Sequence, residues 1–302
     1  MDSFEEAFYE MSMKMAFYEK KANEFQAFFS EIMTLKYPYK FIKTKPWGQL
    51  GDEKCDGYNL ETGEFFQVYA PDEMTAKDAE SKINDDFLGA YEKWGDKIKK
   101  WYFVSNAKNG VGPHIVQTLT ALSMDYPEIE FCHMGQKELN NMLFQLDESD
   151  IRSILGPAPT FSSINDISTC NISKVISGIK KKHETQNDKP IKPVSSKKLT
   201  TNGLSENTKH LLQVGMIKDN LVSEYFAKWY EHDLEENTAK EINSIYERLK
   251  GEGKYDPDEI FGHIYKSITP NENPDSMACT LAIMAYFFEK CIIFEDAEEE
   301  VS

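Results

Sequence analysis

Apolar residues recur along the first thirty-five positions of the chain at helical spacing. Phe25, Phe28, Phe29 and Ile32 fall three and four apart, so Phe4–Leu35 reads as one or two helices. The period then changes. Asp56–Leu60 and Phe65–Tyr69 alternate polar and apolar side chains around Thr62-Gly63, the pattern of a β-hairpin. Thr75–Trp94 returns to helical spacing, with Ser81, Asp85 and Asp86 at its polar positions. Trp101–Ser105 is a continuous apolar run, suited to a strand covered on both faces. Pro113–Met124 (helix), Ile129–Met134 (strand) and Lys137–Leu146 (helix) complete an alternation that predicts an α/β sandwich with a mixed sheet.

The last hundred residues carry helical patterns alone: Asn207–Glu231, Glu236–Lys250, Pro257–Ile268 and Pro274–Phe294. Asp256-Pro257-Asp258-Glu259 offers an N-cap, a proline at the first helical position and a carboxylate at the third. The apolar run Leu281–Phe294 is broken by Glu289 and Lys290 and is too short to cross a bilayer, so it reads as a buried helix. The expected class is α+β, a sandwich followed by an all-α domain.

Charge divides the chain at similar places. Residues 157–204 are basic and contain Pro157, Pro159, Pro190 and Pro193 among many Ser, Thr and Asn. They read as a flexible linker with a short helix near Asn171–Lys182. The expected domains are therefore 1–156, the linker 157–204, and 205–302. The overall formal charge of -17 argues against a free-standing tight DNA binder, because phosphate contact needs Lys and Arg. If DNA is the substrate, metal ions, a local basic segment (Lys180-Lys181-Lys182 and its neighbours) or a partner subunit must offset the charge. The five cysteines form no CxxC pair, which points to reduced thiols and a cytoplasmic location. The N-terminus is acidic and lacks an apolar leader, so neither a signal peptide nor a membrane location is expected.

The stretch richest in chemistry is Gly51-Asp52-Glu53-Lys54-Cys55-Asp56-Gly57-Tyr58, followed by Phe65-Phe66-Gln67-Val68-Tyr69-Ala70-Pro71. A two-residue Thr62-Gly63 loop would set Tyr58 opposite Gln67 and Asp56 opposite Tyr69. Asp56, Gln67 and Tyr69 would then share one face, with Phe66, Val68 and Ala70 on the other. Phosphodiester hydrolysis needs an activated water and a stabilised leaving group, both of which carboxylate-bound Mg2+ or Mn2+ supplies. Asp56 can ligate such an ion, the Gln67 amide oxygen can assist, and Glu24 on the first helical segment is the candidate second carboxylate. Asp52 and Glu53 read as loop charges.

These residues resemble the PD-(D/E)XK, restriction-endonuclease-like fold. The wording Gly-Asp-x-Lys-x-Asp-Gly-Tyr with Phe-Gln-Val-Tyr-Ala-Pro is similar to its branch in bacterial immune effectors. Asp258-Glu259-Ile260-Phe261 and Ala285–Glu295 resemble the C-terminal domain of ABC three-component, or Lamassu, systems. The resemblance implies a metal-dependent endonuclease acting on double-stranded DNA, joined to an SMC-like ATPase and a small accessory subunit, and a homo-oligomer when active. It assigns Asp56 to the motif aspartate, Gln67 to the (D/E/Q) position and Glu24 to the helix glutamate. Tyr69 stands where lysine is usual. Lys54 is the candidate replacement and Lys21 a second. Without a replacement, the domain would be a catalytically silent adaptor of the same kind of complex.

Overall fold

The computed structural model describes residues 1–44, 54–108, 110–182, 202–230, 233–290 and 294. The chain divides into two compact units, an α/β unit of Ala16–Ile154 and a helical unit of Met1–Met15 with Leu155–Ser302. Helix α1 (Ser3–Glu19) runs through the first division.

The α/β unit continues with α2 (Ala22–Lys36), β1 (Phe41–Lys43), β2 (Gly57–Asn59), β3 (Glu64–Tyr69), α3 (Ala76–Trp94), β4 (Lys100–Ser105), α4 (Pro113–Asp125), β5 (Glu130–Met134), α5 (Gln136–Leu143) and α6 (Glu148–Leu155). Five strands lie in the order β1-β2-β3-β4-β5. The first three run antiparallel to one another and the last three parallel, so the sheet is mixed as expected. β1 went unread in the sequence because three residues are too few to show a period.

The hairpin register differs from the expected one by two residues. Asn59 pairs with Glu64, Tyr58 with Phe65 and Gly57 with Phe66. The loop therefore spans residues 60–63. It is closed by Gly63, whose φ of 71° suits glycine and whose N–H donates to the Asn59 carbonyl at 2.8 Å. A slip of two keeps the paired residues on their expected faces. Asp56, however, precedes the pairing: it bonds to Gln26 of α2, whereas Gln67 and Tyr69 lie with Phe65 on the α3 face, so the three do not share one face as expected.

The odd face of β3 is not a solvated face. Phe65 packs against Tyr58 and Trp94 of α3, within a cluster holding Ile83, Phe87, Trp101, Phe103 and Ile115. On the other face Phe66 meets Phe29 of α2, Phe41 of β1 and Tyr102 of β4. Helices cover both faces, so Gln67, in register beside Phe103, is a polar side chain inside an apolar layer.

The helical unit contains α7 (Phe161–Asn165), α8 (Thr169–Lys182), α9 (Glu206–Met216), α10 (Asp219–Lys228), α11 (Leu234–Gly251), α12 (Pro257–Ile268) and α13 (Pro274–Glu289). α13 is its axis, with every residue from Met277 to Phe288 buried. A helix that is apolar all round must be surrounded, and α7, α8, α9, α10 and α12 pack on it. The proline caps work as read: the Asp256 side chain accepts the Glu259 N–H and Asn273 accepts the Ser276 N–H, each at 2.9 Å. The expected helix Asn207–Glu231 is two helices, α9 ending at Met216 and α10 starting at Asp219.

Two expected boundaries shift. Residues 157–182 are part of the helical core rather than a linker, because Ile172, Val175, Ile176 and Ile179 form an i, i+3, i+4, i+7 stripe on α8 that is buried. The remainder of the predicted linker, 183–201, lies outside the described residues. Residues 1–15 belong with the C-terminal helices: Phe8 packs edge-on to Tyr265, and Lys14 bridges Asp256 and Asp258 at 2.8 and 3.1 Å. Among the described residues no helix is long and apolar enough to cross a membrane.

Candidate functional site

Asp56 sits one residue before β2 and is 5% exposed. Its N–H donates to the Phe66 carbonyl at 2.9 Å, although Gly57 is already the partner of Phe66. Two residues thus oppose one, which makes a bulge. The bulge requires glycine at position 57, since a Cβ there would stand 2.3 Å from the Phe41 ring. Beyond it the Asp56 side chain takes over from the backbone. Oδ2 accepts the Val68 N–H at 2.7 Å and Oδ1 accepts from Gln26 Nε2 of α2 at 2.5 Å. The carboxylate lies at the end of the ladder, where β2 leaves β3, held by one donor from the sheet and one from the helix.

The remaining predicted residues take separate places. Glu24 is in the first turn of α2 and exposed. Gln26 reaches Asp56, and a residue two positions earlier points about 200° around the helix. The helix thus presents an amide to Asp56 where a carboxylate was expected. Lys21 is the N-cap residue of α2. Gln67 is 4% exposed, and its Oε1 is buried with no hydrogen-bond partner among the described residues. Tyr69 follows on the same face beside Phe103, the ring centroids 6.0 Å apart. Burial is the main cause that raises its phenol pKa, Asp78 adds to it, and Lys82 opposes. The phenol is therefore no substitute for an ammonium near neutral pH.

Lys54 turns toward α3. Its backbone is left-handed (φ 60°) and its stem lies over Gly89, where a Cβ would come within 2.7 Å of the lysine Cγ. Its ammonium is 3.6 Å from Asp86, which Lys82 also binds at 2.7 Å. Asp86 is only 2% exposed, so two cations compensate one buried carboxylate.

A further polar pair escaped the sequence reading. Ser105 Oγ lies 2.9 Å from His133 Nε2 across β4 and β5, and burial lowers the imidazole pKa against the pull of Glu138. Neither Ser105 nor His133 sits in a motif, and only the parallel register brings them together.

The described residues fit a divalent ion only in part. They offer the Asp56 carboxylate on the α2 side and the orphaned Gln67 oxygen on the α3 face, which do not converge on one point. Among the described residues no group of three His, Cys, Asp or Glu side chains could hold a metal. Asp52 and Glu53 lie outside the described residues.

The helical unit supplies the clearest relationship. Residues 170–295 match C-terminal domain 10 of the ABC-three component (ABC-3C) systems. The match covers α8 to α13, the core of the helical unit. No curated protein and no solved structure matches the chain.

Proposed function

We propose that this chain is a subunit of an ABC-3C defence complex, that its helical unit joins the partner subunits, and that its α/β unit is a restriction-endonuclease-like effector that cleaves double-stranded DNA. The observation that carries the membership is the match over residues 170–295. The partners in this reading are an SMC-like ATPase and a small accessory subunit, and the cutting form is a homo-oligomer.

Support for the cleavage comes from Asp56. A carboxylate kept in the sheet at 5% exposure is costly unless it is bonded, and the bulge, Gly57 and Gln26 together keep it bonded and oriented. Gln67, on the α3 face, has an oxygen with no partner among the described residues but does not join Asp56. Mg2+ or Mn2+, when bound, would supply the charge that activates water and stabilises the leaving oxygen. Asp56 is the described residue that would hold it, with the other ligands coming from outside the described residues or from the DNA phosphate. The chain's own part is to orient: Gln26 and the Val68 N–H fix the carboxylate plane, and the phenol of Tyr69 and the Ser105–His133 pair lie on the neighbouring strands.

The test is cleavage of supercoiled plasmid by the purified chain, alone and with its partner subunits, in Mg2+ or Mn2+ and again in EDTA. Metal-dependent linearisation is the expected result. A second reading, a catalytically silent adaptor, is favoured by one specific observation: the helix residue at Asp56 is the neutral Gln26, and Lys54 is turned to Asp86. Intact plasmid under every condition, with the complex still assembled, would select the adaptor.

A further inference from the structure

α3 and α4 pack side by side over the same apolar cluster, yet their outer surfaces differ in kind. α3 carries eight charged side chains in nineteen residues. α4 carries one in thirteen, Asp125 at its last position, in a chain of which 28% is charged. The inner stripe of α4, Ile115, Leu119 and Leu122, is buried, as an amphipathic helix requires. The outer stripe is not polar in return. Val116, Thr120 and Met124 recur every fourth residue, and Val116 is 52% and Met124 75% exposed. The Thr120 hydroxyl donates to the Val116 carbonyl at 2.8 Å, and the Ser123 hydroxyl to the Thr120 carbonyl at 2.9 Å. Hydroxyls turned back into the helix leave carbon groups facing outward. The patch continues onto α3 through Leu88, 48% exposed, one turn before Tyr91, whose ring meets that of Tyr126 just past α4 at 4.7 Å. Single exposed apolar residues are ordinary; a whole helix face without charge is not.

We propose that this face of α4 is the contact through which two copies of the chain associate, antiparallel about a two-fold axis near Thr120. Charge selects the occupant. At a formal -17 each, two copies repel wherever their charged surfaces meet, so they approach closely only through a surface that carries none. A neutral face gives no such advantage to a partner of opposite sign. The stripe is also its own complement. Under an antiparallel two-fold, Val116 of one copy meets Met124 of the other, and the smaller Thr120 lies at the crossing. Thirteen residues make a contact about 20 Å long, small among specific interfaces, so association should rise with concentration. The inference rests on the homo-oligomer of the proposed function and names its surface. Its readout is mass, so it and the cleavage can fail separately.

The test is sedimentation equilibrium of the full-length chain over a concentration series, in which the wild type should move from monomer toward dimer. Val116→Lys with Met124→Lys, and separately Val116→Glu with Met124→Glu, should each weaken self-association by at least about 100-fold, because like charges then face one another across the axis. Both positions are exposed, so thermal midpoints should be unchanged. Mixing the two variants should restore a mixed dimer, which misfolded variants could not form. A wild type that stays monomeric, a dimer indifferent to these charges, or a mixture that stays monomeric would overturn the proposal. So would variants that self-associate as the wild type does but no longer bind a partner subunit, which would make that subunit the occupant.

Discussion

The two units differ in where some of their buried polar groups stand. In the helical unit they serve helix ends and backbone. Glu259 closes the capping box of α12, Thr238 and Thr280 donate to carbonyls four residues earlier, and Thr208 binds Asp258. The first three bonds are local to one helix, and the last joins two. In the α/β unit Ser30 and Asn59 likewise bond nearby backbone, but Asp56, Gln67, Asp86 and Ser105 are buried in or beside the sheet, and none of these four caps a helix. A fold that needed only stability would replace such groups with apolar ones, because buried charge costs more than it returns unless well paired. Chemistry is therefore to be sought at buried polar groups that packing does not need, such as Asp56.

Core truncation should be felt strongly in both units, and so sets the upper scale for the comparison. Trp101→Ala and Phe287→Ala remove fully buried rings, and each should cost about 3–5 kcal/mol in denaturant unfolding. Equal losses would show that both interiors are packed alike and differ only in polarity. Overpacking distinguishes them next. Gly215 of α9 lies so close to α13 that a Cβ would stand 2.6 Å from the Leu281 carbonyl oxygen. Gly215→Val should therefore destabilise the helical unit by about 3 kcal/mol, read as a lowered thermal midpoint.

The rim charge of the helical unit gives a pH-dependent effect. Burial pushes the Asp258 carboxyl up, but the Ser205 N–H, the Lys14 ammonium and the Thr208 hydroxyl more than reverse this, and its pKa falls below the ordinary aspartate value. A depressed folded-state pKa contributes stability that is complete above the unfolded value of about 4 and is lost as pH falls through the folded one. Lys14→Met should lower stability by about 2 kcal/mol at neutral pH and by less in acid, measured by unfolding at pH 7 and pH 3. The smallest effect is expected at a cap in the α/β unit. The Thr75 hydroxyl accepts the Asp78 N–H at 3.2 Å at the start of α3, and Thr75→Ala should cost about 1 kcal/mol.

The helical unit was the more legible of the two. Asp256-Pro257 and Asn273-Pro274 marked helix starts outright, since cap and proline chemistry act within four residues. The α8 stripe was hidden by the Ser, Thr and Lys around it, and composition outweighed a period that was present. In the α/β unit, local pattern placed the strands but not their register, because the number of loop residues depends on the left-handed turn at Gly63. The site was legible as a set of residue types. Its phase was not: whether Glu24 or Gln26 meets Asp56 depends on the rotation of α2 against the sheet, which Phe25, Phe28, Phe29 and Ile32 set only by packing.

The carboxylate at position 56 is the group on which the proposed cleavage depends. Asp56→Asn keeps the size of the side chain and an oxygen for the Val68 N–H, and Gln26 can turn its amide to accept from the new NH2, while the charge is removed. In a plasmid-linearisation assay with Mn2+ and the assembled complex, the variant should lose at least about 100-fold in rate, the scale of deleting one transition-state contact, with its thermal midpoint little changed. Cleavage by the variant at the wild-type rate would contradict the account.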